Sequence, residues 1–161
     1  MAKIFVFVIA FFCFFGCQNN QIGAKLNEIS PEISAQNLDG KNVSLNDFDA
    51  DLKIIVFWQY GCLGCVQILP NLENFIKTSG KKIAVFAINS MNDKATVQKF
   101  YDKVKPKHIE ILLDNVQISF ERFELKRIPT TIILDKNNKI LQILAGEIPW
   151  DIVKSRILSY L

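Results

Sequence analysis

The stretch Lys53-Ile54-Ile55-Val56-Phe57-Trp58-Gln59-Tyr60-Gly61-Cys62-Leu63-Gly64-Cys65 decides the fold. Ile54 to Phe57 form an apolar run with no polar alternation. Such a run suits a strand covered on both faces, as in a parallel sheet, where no position faces water. Tyr60-Gly61 interrupts it, and Cys62 opens a different period. Cys65, Leu69, Leu72 and Ile76 follow at three- and four-residue steps and share one helix face. The sequence thus predicts a buried strand that delivers a Cys-x-x-Cys pair to the start of a helix. Pro70 lacks an N–H and crowds the carbonyl of Val66, so a kink is expected there.

Outward from this centre, strands and helices alternate. A second buried strand is expected over 82–88 and a third over 109–113. Helices are expected over 93–104, with Val97, Phe100, Tyr101 and Val104 as the apolar stripe, and over 116–123. Residues 130–134 and 140–145 flank Lys136-Asn137-Asn138 as a hairpin. Residues 150–161 close the chain as an amphipathic helix with Trp150, Val153, Ile157 and Leu161 inward. Upstream, Asp39-Gly40 is a turn signal between 33–38 and 42–45, which predicts an added hairpin. The whole is an α/β class: a central sheet with helices on both faces. Trp58 and Trp150 read as core residues, and His108, in a basic loop, as a solvated surface residue.

The first residues follow another logic. Lys3 is followed by twelve apolar residues, Ile4 to Phe15, and then by Gly16-Cys17 and the polar Gln18 to Gln21. As a helix this run rises about 18 Å, short of the roughly 30 Å hydrocarbon core of a bilayer. A charged start, a short apolar region and a small residue before the cut read as an export signal over 1–16. Phe14-Phe15-Gly16-Cys17 resembles a bacterial lipobox, which implies lipid on Cys17; the usual Leu three residues before the Cys is here Phe14. Residues 17–31 are polar and aperiodic and read as a tether, leaving 32–161 as the domain. The 161 residues carry a net charge of +3, from 19 basic against 16 acidic side chains, with no basic run. Nothing in that balance points to nucleic acid.

The cysteine count then becomes simple. Of four cysteines, Cys13 is expected to go with the leader and Cys17, on the lipobox resemblance, to carry lipid (ordinary signal cleavage with Cys17 incidental is the alternative), so Cys62 and Cys65 remain. A structural zinc site needs four ligands, and His108 is the only histidine, so no metal site is expected. Redox exchange needs only what is present: two thiols one turn apart at a helix N-terminus, where the dipole and free N–H groups favour the attacking thiolate. Cys62, nearer the loop, is expected to be exposed and to attack a disulfide. Cys65, inside the first turn, is expected to be shielded and to resolve the mixed disulfide. No cofactor is required. Two classes remain open on the residues alone: a thiol–disulfide oxidoreductase, or a non-catalytic binding lipoprotein such as a Cu(I) metallochaperone.

Phe57 to Cys65, with Pro70 five residues beyond, resembles the active-site segment of thioredoxin-like proteins. Leu38-Asp39-Gly40-Lys41 with Val43-Ser44-Leu45 is similar to the exported, membrane-tethered TlpA/ResA-type branch, and Ile128-Pro129-Thr130 matches its Ile-Pro-Thr. The likeness covers about residues 30–161. It implies a thioredoxin fold and a cis Pro129 beside the cysteines. Substrate would dock at Ile128 and Pro129, with Trp58 bordering the site. It further implies reduction of periplasmic protein disulfides, cytochrome c maturation among them, with electrons from an integral-membrane thiol carrier. The sequence departs from the pattern at Gly61, where Trp is common, and at Gly64, where Pro is frequent. Val56 and Ile68 stand where relatives carry acids, so no carboxylate is expected beside Cys65.

Overall fold

The computed structural model describes residues 23–161. The signal over 1–16 and Cys17 lie outside the described residues, as does the tether up to residue 22. Seven strands form one mixed sheet: β1 (Ala35–Asn37), β2 (Asn42–Val43), β3 (Leu52–Trp58), β4 (Ile83–Asn89), β5 (Ile109–Leu113), β6 (Thr130–Asp135) and β7 (Ile140–Ala145). Their order is β2-β1-β5-β4-β3-β6-β7. β3, β4 and β5 are parallel; β6 runs antiparallel to β3, and β1 antiparallel to β5. Among the described residues there are four α-helices: α1 (Leu63–Ser79), α2 (Lys94–Val104), α3 (Ile118–Arg122) and α4 (Trp150–Leu158). This is a thioredoxin fold with the β1–β2 hairpin added at its N-terminal side.

The apolar run of β3 is the middle of the sheet, and its side chains divide between two cores. Ile54, Val56 and Trp58 join Leu69, Leu72, Val97, Phe100, Val153 and Ile157 beneath α1, α2 and α4. Ile55 and Phe57 join Leu45, Phe86, Phe123 and Ile132 on the opposite face. That second face is covered more lightly, by α3 and by the segment leading into β3. There a 3-10 turn over Leu45–Asp47 buries Leu45, with Ser44 and Asp47 satisfying each other's backbone as a capping box. Both faces of β3 are closed, which is why its residues show no alternation.

Several boundaries differ from expectation for identifiable reasons. α4 ends at Leu158, and Leu161, three residues past the helix, stays exposed instead of turning inward. Pro70 sits on the exposed side of α1 and does not end the helix. The described part of the expected tether is docked on the domain. Gly23 and Ala24 donate to the carbonyls of Arg122 and Phe123, Asn27 donates to Ile140, and Ser30 donates to Asn138. Ile29 bridges to Lys139. A segment held by backbone bonds needs no apolar period, so its composition reads as linker although it is packed. Among the described residues, no helix is long and apolar enough to cross a membrane.

Candidate functional site

Cys62 caps the start of α1 at the C-terminal end of the central strand. Its backbone is extended, and its Sγ accepts the Cys65 N–H at 3.3 Å. That N–H is one of the donors every helix leaves unpaired in its first turn. Cys62 and Cys65 are joined as a disulfide. Their exposures differ as the sequence predicts: Cys62 is half-buried, whereas Cys65 is 0 % exposed. An incoming group can therefore reach only Cys62.

The loop before the pair is held from a distance. Gly61 takes φ +94°, a conformation that favours glycine, so the chain can turn there from the strand into the helix cap. The N–H of Tyr60 donates to Asn92 Oδ1 at 2.7 Å. Asn89, at the end of β4, donates its side-chain amide to the same oxygen and receives the N–H groups of Met91 and Asn92. These two asparagines escape a sequence reading. Asn89 to Asp93 announces only a polar turn, and nothing local says that it reaches across to Tyr60.

On the other side of the pair, the Ile128–Pro129 bond is cis, with Ile128 half-buried and Pro129 buried. The carbonyl of Pro129 receives the N–H of Gly146 at 2.7 Å, which brings the turn after β7 against it. Glu147 follows, and its side chain lies over Gly64. A Cβ built on Gly64 would meet Glu147 Cγ at 2.8 Å and Cδ at 2.9 Å. Gly64 thus makes room for a carboxylate that arrives from the far end of the chain. The expectation of no carboxylate beside Cys65 concerned the positions of Val56 and Ile68, which are apolar and buried; Glu147 reaches Gly64 instead, from the turn after β7.

Trp58 does not fit the role given to it. It is 0 % exposed and packs on Phe100 with ring centroids 4.5 Å apart, so it offers no surface to a substrate. Its place at the end of a strand covered on both faces explains this, and it supports the pair from behind. His108 is exposed and pairs with Glu73 in the middle of α1, its ring Nδ1 2.7 Å from Glu73 Oε1.

Two grooves flank the start of α1. One, of about 500 Å³, is lined by Tyr60, Cys62, Leu63, Val66, Phe100 and Lys103 among others. The other, of about 170 Å³, is bounded by Gly64, Pro129, Gly146 and Glu147.

The family model described as Redoxin matches residues 23–160. The chain belongs to the Redoxin family. It is 30% identical over 132 residues to the thioredoxin-like protein YneN of Bacillus subtilis (strain 168), covering 78% of this chain and 75% of that one. It is 23% identical over 131 residues to the thiol-disulfide oxidoreductase ResA of Geobacillus thermodenitrificans, covering 81% and 75%. Among solved structures, the exposed lipoprotein thioredoxin Etrx1 of Streptococcus pneumoniae superposes with a TM-score of 0.64 at 22% identity, over 79% of this chain and 98% of that one. This redoxin is a thiol–disulfide oxidoreductase with a redox-active cysteine pair.

Proposed function

We propose that this redoxin reduces disulfides of exported proteins while tethered to a membrane through lipid on Cys17. In this reading the Cys62 thiolate attacks a substrate disulfide and displaces one substrate thiolate. Cys65, losing its proton, then attacks Cys62 Sγ in the mixed disulfide and releases the second substrate thiol. The Cys62–Cys65 disulfide is the product of that cycle, and two electrons and two protons from a dithiol donor regenerate the reduced pair. The TlpA/ResA resemblance supports an integral-membrane thiol carrier as that donor and cytochrome c maturation as a setting. Export and anchoring rest on the leader and Gly16-Cys17, and on the fold shared with a pneumococcal lipoprotein. Ile128 and Pro129 form the docking edge.

The observation that carries the roles is the asymmetry of the two sulfurs. Cys62 is accessible and receives a helix N-terminal N–H, which favours its thiolate; Cys65 is closed to solvent. The test uses the full chain in detergent. Cys62→Ser is expected to lower insulin reduction about a thousandfold, to background. Cys65→Ser is expected to accumulate a mixed disulfide through Cys62. A trapped adduct on Cys65 in place of Cys62 would reverse the roles, and wild-type rates in either variant would overturn the reading. Equilibration with glutathione checks the direction. A reductant is expected below roughly −200 mV, and a value near −120 mV would mark an oxidant.

A further inference from the structure

The groove beside Gly64 has a chemical character that disulfide exchange alone does not use. Gln67, Asn71, Thr131 and Glu147 supply its polar wall, and Trp150 adds an aromatic ring. No Lys or Arg lines it, although the chain as a whole carries a net charge of +3. The Glu147 carboxylate belongs to neither ion pair found among the described residues, which join Lys82 to Asp49 and His108 to Glu73. Arg127 packs its stem near Gly146 and stays outside the groove.

The backbone that carries Glu147 is tied down, and the side chain itself stays exposed to an incoming group. The Gly146 N–H on the Pro129 carbonyl fixes the turn, and the Glu147 stem rests on the bare backbone of Gly64. Its neighbours fit one kind of ligand. A carboxylate makes charge-assisted hydrogen bonds to an ammonium or guanidinium group. The indole face attracts a cation within about 6 Å of its centre. The side-chain amides of Gln67 and Asn71 offer carbonyl oxygens as further acceptors. Because Gly64 and Pro129 form part of the wall, a peptide joined to Cys62 and lying over Pro129 passes the mouth of the groove.

We propose that this groove is a subsite for a Lys or Arg side chain adjoining the cysteine of the substrate disulfide, with Glu147 and Trp150 as its specificity-determining residues. The inference rests on the reading that Cys62 attacks protein disulfides docked at Pro129. It names the class of disulfide that is preferred: one flanked by a basic residue.

Two measurements on the full chain in detergent test it. The first compares kcat/KM for reduction of peptide disulfides that differ only in having Lys, Ala or Glu beside the cysteine, on either side. The Lys peptide is expected to exceed the Glu peptide by about tenfold at low salt, in the better of the two positions, and by less at high salt. In Glu147→Gln that ratio is expected to fall to within about twofold of unity, and Glu147→Lys is expected to invert it. Equal rates for the Lys and Glu peptides, or a ratio that survives Glu147→Gln, would overturn the proposal. The second follows the Trp150 indole N–H signal on titration with the same peptides carrying Ser in place of Cys. A shift with the Lys peptide and none with the Glu peptide supports the subsite whether or not any disulfide is reduced. Identical responses to both would sink it. Loss of reduction for every peptide, with the Trp150 response intact, would instead strike the oxidoreductase roles assigned to Cys62 and Cys65.

Discussion

On one side of Cys62 the surface is apolar and open: Leu63 is 68 % exposed, and Tyr60, Val66 and Phe100 line the groove next to it. On the other, beyond Gly64, it is smaller, mixes polar with apolar walls and carries Glu147. The two flanks are built from different parts of the chain. The apolar one comes from the first turns of α1 and the end of α2. The mixed one forms where the Pro129 loop and the turn after β7 close over Gly64. The cysteine pair sets the reaction, and segments far from it in sequence shape what reaches it. Burying apolar area on one flank is insensitive to salt, whereas a charge on the other is screened by it. Discrimination by the two flanks is therefore separable by experiment.

The largest effect is expected from giving the apolar flank a charge. Leu63→Asp is expected to lower kcat/KM about tenfold for substrates with an apolar residue beside the cysteine, by desolvating a carboxylate and losing apolar burial. Because Leu63 is on the surface, the unfolding free energy is expected to stay within about 0.5 kcal/mol of the parent. Parallel kinetics and denaturation check this, and a matching loss of stability would show that Leu63 belongs to the core and not to a recognition surface.

A smaller effect is expected where the loop between the flanks is tied down. Asn92→Ala removes the acceptor for Tyr60 N–H and a partner of the buried Asn89 amide, at a cost of about 1–2 kcal/mol. After reduction, the difference in alkylation rate between Cys62 and Cys65 is expected to narrow as the loop loosens. An unchanged unfolding midpoint together with unchanged alkylation would show that this network holds nothing.

The smallest effect concerns the wall of the apolar flank. Glu73, on α1, receives the N–H groups of Lys107 and His108 and pairs with the His108 ring, tying α1 to the turn that follows α2. Burial pushes its carboxyl up, but these hydrogen bonds and the His108 charge outweigh it and hold Glu73 below the ordinary 4.5. A depressed carboxylate stabilises the fold fully above that ordinary value, and the contribution fades as pH falls through the lower, folded one. Glu73→Gln is therefore expected to cost under about 1 kcal/mol at neutral pH and to flatten the stability profile below pH 4.5. Urea melts between pH 3 and 7 check this, and a steeper acid profile in the variant would reverse the sign.

What a reader of the sequence could find follows the same division. Ile54 to Phe57 and the period through Cys65, Leu69, Leu72 and Ile76 are local patterns, and each landed where it was expected. Ile128-Pro129-Thr130 was legible through its family likeness. Glu147 was not, because its meaning depends on a Cβ that Gly64 lacks and on β6 and β7 lying beside β3. Neither was the reach of Asn92 to Tyr60, which no periodicity encodes. Trp58, legible as a core residue, is one; what fails is the place beside the substrate that the family likeness implied for it. At the last position of β3 its side chain joins Ile54 and Val56 in the core beneath α1.

The docking of residues 23–31 on the domain has a mechanical consequence. If Cys17 carries lipid as proposed, only the stretch from Cys17 to Gly23 separates anchor from docked segment, at most about 20 Å of chain. A domain so held would explore a thin shell above the bilayer, and a donor embedded there would meet it at an effective concentration set by geometry and not by abundance.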